Sequence, residues 1–215
     1  MSYPILYSFK RCPYAMRARM ALQLAEIKCE IREIRLSNKP EHMLEISPKG
    51  TVPILILEDK IIDESYDIVN WVIEKRNIFN ENLRSDQINL TESLIKKFDE
   101  AFKHHLDRYK YAARYENADS EFHRSECLKI LIDLEAIASN GKWIFGENLN
   151  KLDISILPFI RQFRIANPRW FDSLEEISKI KKILNNYLNS EEFKKIMFKY
   201  DEWQLGSKPV YFPST

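Results

Sequence analysis

The chain has 215 residues, long for one domain and comfortable for two, with 45% hydrophobic, 12% aromatic and 30% charged side chains. That balance excludes disordered, collagenous and membrane-spanning classes. Thirty-three basic against thirty-two acidic residues leave a net charge of +1, which offers no field for a polyanion, so neither nucleic acid nor a membrane is an expected partner.

In chain order, Ile5–Phe9 reads as a strand, and Pro13 stands where a first helical turn tolerates a missing N–H. The helix that follows, Ala15 to Ala25, carries one broad apolar face with Arg17 and Arg19 expected outside it. Cys29–Leu36 alternates as a half-buried strand, Glu41–Ile46 is a short helix, and Val52–Leu57 is a buried strand. A turn at Glu58-Asp59 leads to a short strand at Lys60–Asp63, and Ser65 opens another helix. The order βαβαββα predicts a four-stranded mixed sheet with helices on its faces, over residues 1–77.

Residues 78–86 read as a linker, and 87–215 as an all-helical domain, with helices at 87–111, 120–139, 152–165, 174–188 and 191–198. Asn150 is placed as an N-cap with Asp153 at the capping-box position.

Four glycines cannot build either common phosphate cradle. Three cysteines, Cys12, Cys29 and Cys127, are too few and too dispersed for a disulfide framework and suit a reducing compartment. The first residues reach Lys10 and Arg11 before any signal-peptide core forms, and a cytoplasmic location is expected.

Three features carry chemistry. Cys12 in Cys12-Pro-Tyr-Ala15 sits at a helix N-terminus, where the macrodipole and orphan amides favour a thiolate. With Ala15 at the fourth position there is no Cys-x-x-Cys dithiol, so exchange needs an external thiol such as glutathione. Cys29 and Cys127 read as core residues. Pro53 at the start of a buried strand is accommodated at an edge or by a cis Val52-Pro53 bond, and the cis form is the expectation here; the Val52 amide and carbonyl can then pair with an extended peptide. Glu64 and Ser65 open a helix, either as a plain cap or as holders of an α-amino-acid end, whose carboxylate suits the amides and whose ammonium suits Glu64. His104, His105 and His123, with Cys127 one turn beyond His123, follow no recognised ligand spacing, and no metal is expected.

Together Arg11-Cys-Pro-Tyr-Ala-Met-Arg-Ala-Arg19, Leu36-Ser-Asn-Lys-Pro-Glu41, Val52-Pro53 and Glu64-Ser65, ahead of a helical C-terminal half, resemble the cytosolic glutathione transferases. The omega-like and bacterial cysteine-type thiol transferases match best. The resemblance implies a thioredoxin-like domain at 1–77, and Cys12 forming a mixed disulfide with glutathione as co-substrate. It further implies that Val52 and Pro53 hold the cysteinyl backbone, Glu64 and Ser65 the γ-glutamyl end, and Lys39 the glycyl carboxylate. Tyr14, Tyr109, Tyr111 and Arg114 are candidates for a second-substrate pocket taking a small thiol, disulfide or electrophile. A homodimer is the expected assembly. The implied activity is thiol transfer or dehydroascorbate-type reduction; the alternatives are conjugation of glutathione to small electrophiles, and a noncatalytic regulator or scaffold with the same fold.

Overall fold

The computed structural model describes residues 3–79 and 83–213; residues 80–82, inside the predicted linker, lie outside the described residues. In chain order the elements are β1 (Ile5–Ser8), α1 (Pro13–Leu24), β2 (Cys29–Glu33), α2 (Glu41–Ile46), β3 (Ile54–Ile56), β4 (Ile61–Ile62) and α3 (Ser65–Lys75). There follow α4 (Ser85–Lys97), α5 (Lys103–Lys110), α6 (Ser120–Ile137), α7 (Lys151–Ala166), α8 (Pro168–Ser173), α9 (Ser178–Asn189), α10 (Glu191–Ile196) and β5 (Tyr211–Phe212). The chain forms two compact units: Met1–Ile78 with Ser190–Thr215, and Phe79–Asn189.

The first unit is built on a mixed sheet of order β4-β3-β1-β2-β5. β1 and β2 run parallel across the α1 crossover, with Ile5 opposite Glu30, and β3 returns antiparallel with Tyr7 opposite Ile54. The predicted four-stranded sheet is therefore corrected to five strands, and the predicted 87–215 helical domain gives up its last residues to the first unit. The reason is an edge. β2 would otherwise present unpaired amides and carbonyls, and the chain's end covers them: Cys29 pairs with Phe212, and the Ile31 amide donates to the Val210 carbonyl at 2.8 Å.

A second correction concerns α1. Every residue from Ala15 to Leu22 is buried, including Arg17 and Arg19. Eight consecutive residues cover all sides of a helix, so α1 is a central rod and not an amphipathic surface helix. Arg19 is compensated on every side. Its Nε donates to Ser8 Oγ at 2.8 Å, its Nη1 to the Ile196 carbonyl at 2.8 Å, and its Nη2 pairs with Glu33. Even so, burial outweighs the pairing and pushes the Glu33 carboxyl above its usual range. The Trp203 amide donates to the Glu33 carbonyl at 2.8 Å, so the same corner anchors the C-terminal segment.

The second unit is helical among the described residues. The predicted 87–111 helix is interrupted by a single π-turn, Phe98–Phe102, between α4 and α5. Phe98 and Phe102 stack at 4.5 Å, and Phe102 meets Phe163 of α7 edge-on at 5.8 Å. The predicted 174–188 helix begins later, at Ser178, and α8 precedes it. There Asn167 caps the Trp170 amide at 3.2 Å and Pro168 fills the first helical position. The capping box at α7 forms as expected. Asn150 Oδ1 accepts from the Leu152 amide at 2.9 Å, and the fully buried Asp153 accepts from the Asn150 and Ile144 amides, each at 3.0 Å. No helix among the described residues is long and apolar enough to cross a membrane.

Two stability measurements follow from these contacts. Asp153→Ala strands two buried amides and is expected to cost about 2–4 kcal/mol in urea denaturation at pH 7. Arg19→Met is expected to cost about 3–5 kcal/mol, because it leaves Glu33 without its buried counter-charge. The double variant Arg19→Met/Glu33→Gln should recover part of that loss; purely additive costs would disprove the coupling.

Candidate functional site

The first unit contains seven of the sequence-predicted site residues, Cys12, Tyr14, Lys39, Val52, Pro53, Glu64 and Ser65. Cys12 is the N-cap of α1, in extended conformation (φ −75°, ψ 125°), with its side chain left out of the cap. Its amide donates to the Phe9 carbonyl at 2.9 Å, closing the turn out of β1, and its carbonyl accepts from the Met16 amide at 3.0 Å. The thiol is thus held at the positive end of a 12-residue helix and remains half-exposed. No disulfide links the three cysteines.

The Val52-Pro53 peptide is cis, as the sequence predicted. Val52 is buried beside Tyr7, Ala15, Met43 and Ile54, and its carbonyl accepts from Cys12 Sγ at 3.6 Å. Two influences therefore oppose each other at Cys12: the helix terminus favours the thiolate, and the carbonyl acceptor favours the thiol. At that length, with sulfur as donor, the second is weak.

Glu64 is the N-cap of α3 and Ser65 its first residue. Their partners were not foreseen. Ser65 Oγ accepts from Nη1 of the buried Arg17 at 3.2 Å, and the guanidinium also lies over the Tyr14 ring at 5.6 Å. Glu64 is exposed and accepts from Lys49 Nζ at 2.7 Å; Lys49 also approaches Asp63 at 3.4 Å, while Ser47 donates to Asp63 at 2.8 Å. The hydrogen bond from Lys49 to Glu64 holds the ammonium above its ordinary range.

Lys39 leans toward the turn ahead of Val52. Its Nζ lies 3.3 Å from where a Cβ on Gly50 would stand, and Leu44 lies at 3.0 Å from the same point. Gly50 has φ +59°, a backbone conformation that favours glycine. A surface cavity of about 440 Å³ opens next to Lys39, between Pro40, His42 and Glu45 of the α2 region and Trp203 and Leu205 of the C-terminal segment. Tyr14 belongs to this unit, whereas Tyr109, Tyr111 and Arg114 belong to the other. There the Arg114 guanidinium lies over the Tyr111 ring at 4.3 Å, and Tyr109 packs edge-on against Phe163 at 5.5 Å.

Cys29 and Cys127 are buried, and burial pushes the Cys29 thiol up to about 12 and the Cys127 thiol further up. At pH 8 the native protein should take up one iodoacetamide, on Cys12, with the other two thiols reacting roughly 100-fold or more slowly. Mass spectrometry after native and denaturing alkylation checks this; a second rapid native adduct would contradict it.

Comparison with known proteins shows what the chain is similar to. Residues 6–81 match the family model of the glutathione S-transferase N-terminal domain. The chain is 29% identical to the probable glutathione S-transferase parA of Nicotiana tabacum over 165 residues, covering 74% of this chain and 72% of that one. It is 27% identical to glutathione S-transferase omega-1 of Rattus norvegicus over 185 residues, covering 80% and 67%. A glutathione transferase family member from Pseudomonas fluorescens Pf-5, solved with two glutathione molecules bound, superposes with a TM-score of 0.78 at 16% identity, covering 91% and 92%.

Proposed function

From the membership of this chain in the cytosolic glutathione transferase superfamily, with an omega-like character, we propose that it is a glutathione-dependent thiol transferase or reductase acting through Cys12. The observation that carries the proposal is a half-exposed cysteine at the N-terminus of α1, beside the Val52 carbonyl, where other residue types would not form a mixed disulfide.

The Cys12 thiolate attacks the glutathione sulfur of a mixed disulfide R–S–S–G. The S–S bond breaks, the R thiolate departs with its electron pair and takes a proton, and Cys12 is left bonded to glutathione. A second glutathione thiolate then attacks that sulfur, oxidised glutathione leaves and the Cys12 thiolate is restored. In net, the mixed disulfide and one glutathione thiol become one R thiol and one glutathione disulfide, and Cys12 returns unchanged. Dehydroascorbate is an alternative two-electron acceptor.

The recognition roles follow each residue's chemistry. The Val52 backbone pairs with the extended cysteinyl segment of glutathione, and in doing so takes the carbonyl away from the Cys12 thiol, which tips Cys12 toward the thiolate. Glu64 receives the γ-glutamyl ammonium; Lys49 already occupies that acceptor, which supports its capacity for a cation. Ser65 and the first amides of α3 take the neighbouring carboxylate, and Lys39 the glycyl one. A homodimer is the working assembly.

The test is a parallel assay of thiol transfer, dehydroascorbate reduction and aryl-halide conjugation on wild type and Cys12→Ala. Thiol transfer and reduction should fall at least 100-fold in the variant, and wild type alone should carry a glutathione adduct on Cys12 by mass spectrometry. Full thiol transfer by Cys12→Ala would sink the assignment. Conjugation that survives the substitution, with no thiol transfer in wild type, would favour a conjugating enzyme instead.

A further inference from the structure

The second unit holds a side-chain cluster that thiol chemistry does not use. His104 and His105 are consecutive on α5, and His123 lies in the first turn of α6. Packing of the two helices brings the rings together, with centroids 5.0 Å apart for His104 and His105, 5.9 Å for His104 and His123, and 5.0 Å for His105 and His123. One ring nitrogen from each lies within 4.8 Å of the others. The shortest separation, His105 Nδ1 to His123 Nδ1, is 2.8 Å, so one nitrogen donates and the other accepts.

We propose that His104, His105 and His123 form a three-imidazole site for a divalent late first-row metal ion, with zinc as its type, in which a solvent molecule completes the coordination. Zinc binds imidazole nitrogen at about 2.0–2.1 Å, which sets tetrahedral ligand nitrogens roughly 3.3 Å apart. The close pair must open by about half an ångström and the widest must close by at most about 1.5 Å, shifts that side-chain rotation supplies. Imidazole ligands select copper, nickel and zinc over magnesium and calcium.

Burial and charge fit a metal site with one competitor. His104 is exposed, His105 half-buried and His123 buried, so an ion can arrive from solvent while the inner ligand is fixed by its surroundings. Glu126 on α6 and Asp119 at its N-cap add negative charge, although Glu126 also accepts from Lys129 at 2.5 Å. Arg108 opposes the ion: its Nη1 lies 3.0 Å from His104 Nδ1 and competes for that lone pair. Cys127 is outside the cluster and donates to the Phe102 carbonyl at 3.7 Å. A bound ion would cross-link α5 to α6.

The experiment uses the full-length Cys12→Ser protein, which removes the reactive thiol as a rival ligand, titrated with zinc by calorimetry and with cobalt by visible absorption. One zinc per chain and a tetrahedral cobalt spectrum without thiolate charge-transfer bands are expected. His104→Ala and His123→Phe should each weaken zinc binding at least 10-fold, and Arg108→Gln should tighten it several-fold. Should His123→Phe fail to fold by circular dichroism, the exposed His104→Ala and the half-buried Arg108→Gln decide. Absence of saturable binding, an affinity unchanged by His104→Ala, or weaker binding in Arg108→Gln would overturn the proposal.

Discussion

A guanidinium cannot be carried into a protein interior without partners on every side, and in this chain that requirement organises the first unit. Arg19 draws on Ser8 at the end of β1, Glu33 at the end of β2 and the Ile196 carbonyl at the end of α10, with the Tyr200 ring beneath it. Those partners come from segments far apart in sequence, so the arginine specifies how they meet. Glu33 has a further bond: its Oε1 accepts from the Lys10 amide at 2.6 Å. The turn between β1 and α1 is therefore tied to the corner that Arg19 holds, and Cys12, two residues beyond Lys10, inherits its position from a buried ion pair it does not touch.

Arg17 makes the complementary connection. Two residues apart on a helix point to nearly opposite sides, so Arg17 reaches Ser65 at the start of α3 while Arg19 reaches the β1, β2 and α10 corner. α1 acts as a rod that fixes the candidate nucleophile at its first turn and, through Arg17, the residue proposed to receive the γ-glutamyl carboxylate. Recognition and nucleophile are spaced by one rigid element, the arrangement that keeps a reacting sulfur in attack geometry. Glu64 is oriented more loosely, from the surface, by a lysine in solvent contact.

Local chemistry was legible in the amino-acid sequence where a residue acts on its own neighbours. A proline after Cys12, a strand before it and a helix that opens at Ser65 depend on backbone within a few positions, and so does the Asn150–Asp153 box; the cap of α3 falls on Glu64 and not on Ser65. Arg17 and Arg19 were misread because periodicity assumes that a helix has an outside, and α1 has none. The fifth strand was invisible because two residues, Tyr211 and Phe212, gain strand geometry only by pairing with β2. Lys49 and Glu64 pair across 15 residues, a separation that no local pattern signals. His104, His105 and His123 follow no spacing motif; only the packing of α5 on α6 makes them neighbours.

A single accessible thiol also determines what else the site must contain. A dithiol enzyme resolves its mixed disulfide internally and needs little from its partner beyond the disulfide itself. Here the fourth position of the turn is Ala15, fully buried in the core, and Cys29 and Cys127 are buried with thiols raised away from ionisation. A disulfide formed on Cys12 is then a dead end unless a small thiol is brought to it in register. For the proposed thiol transfer, groups that read a peptide backbone, an ammonium and a carboxylate would therefore be as necessary to turnover as the sulfur. In the proposed reading Val52, Glu64, Ser65 and Lys39 would supply that set of chemistries, which ties the absence of a second cysteine to the presence of these four residues.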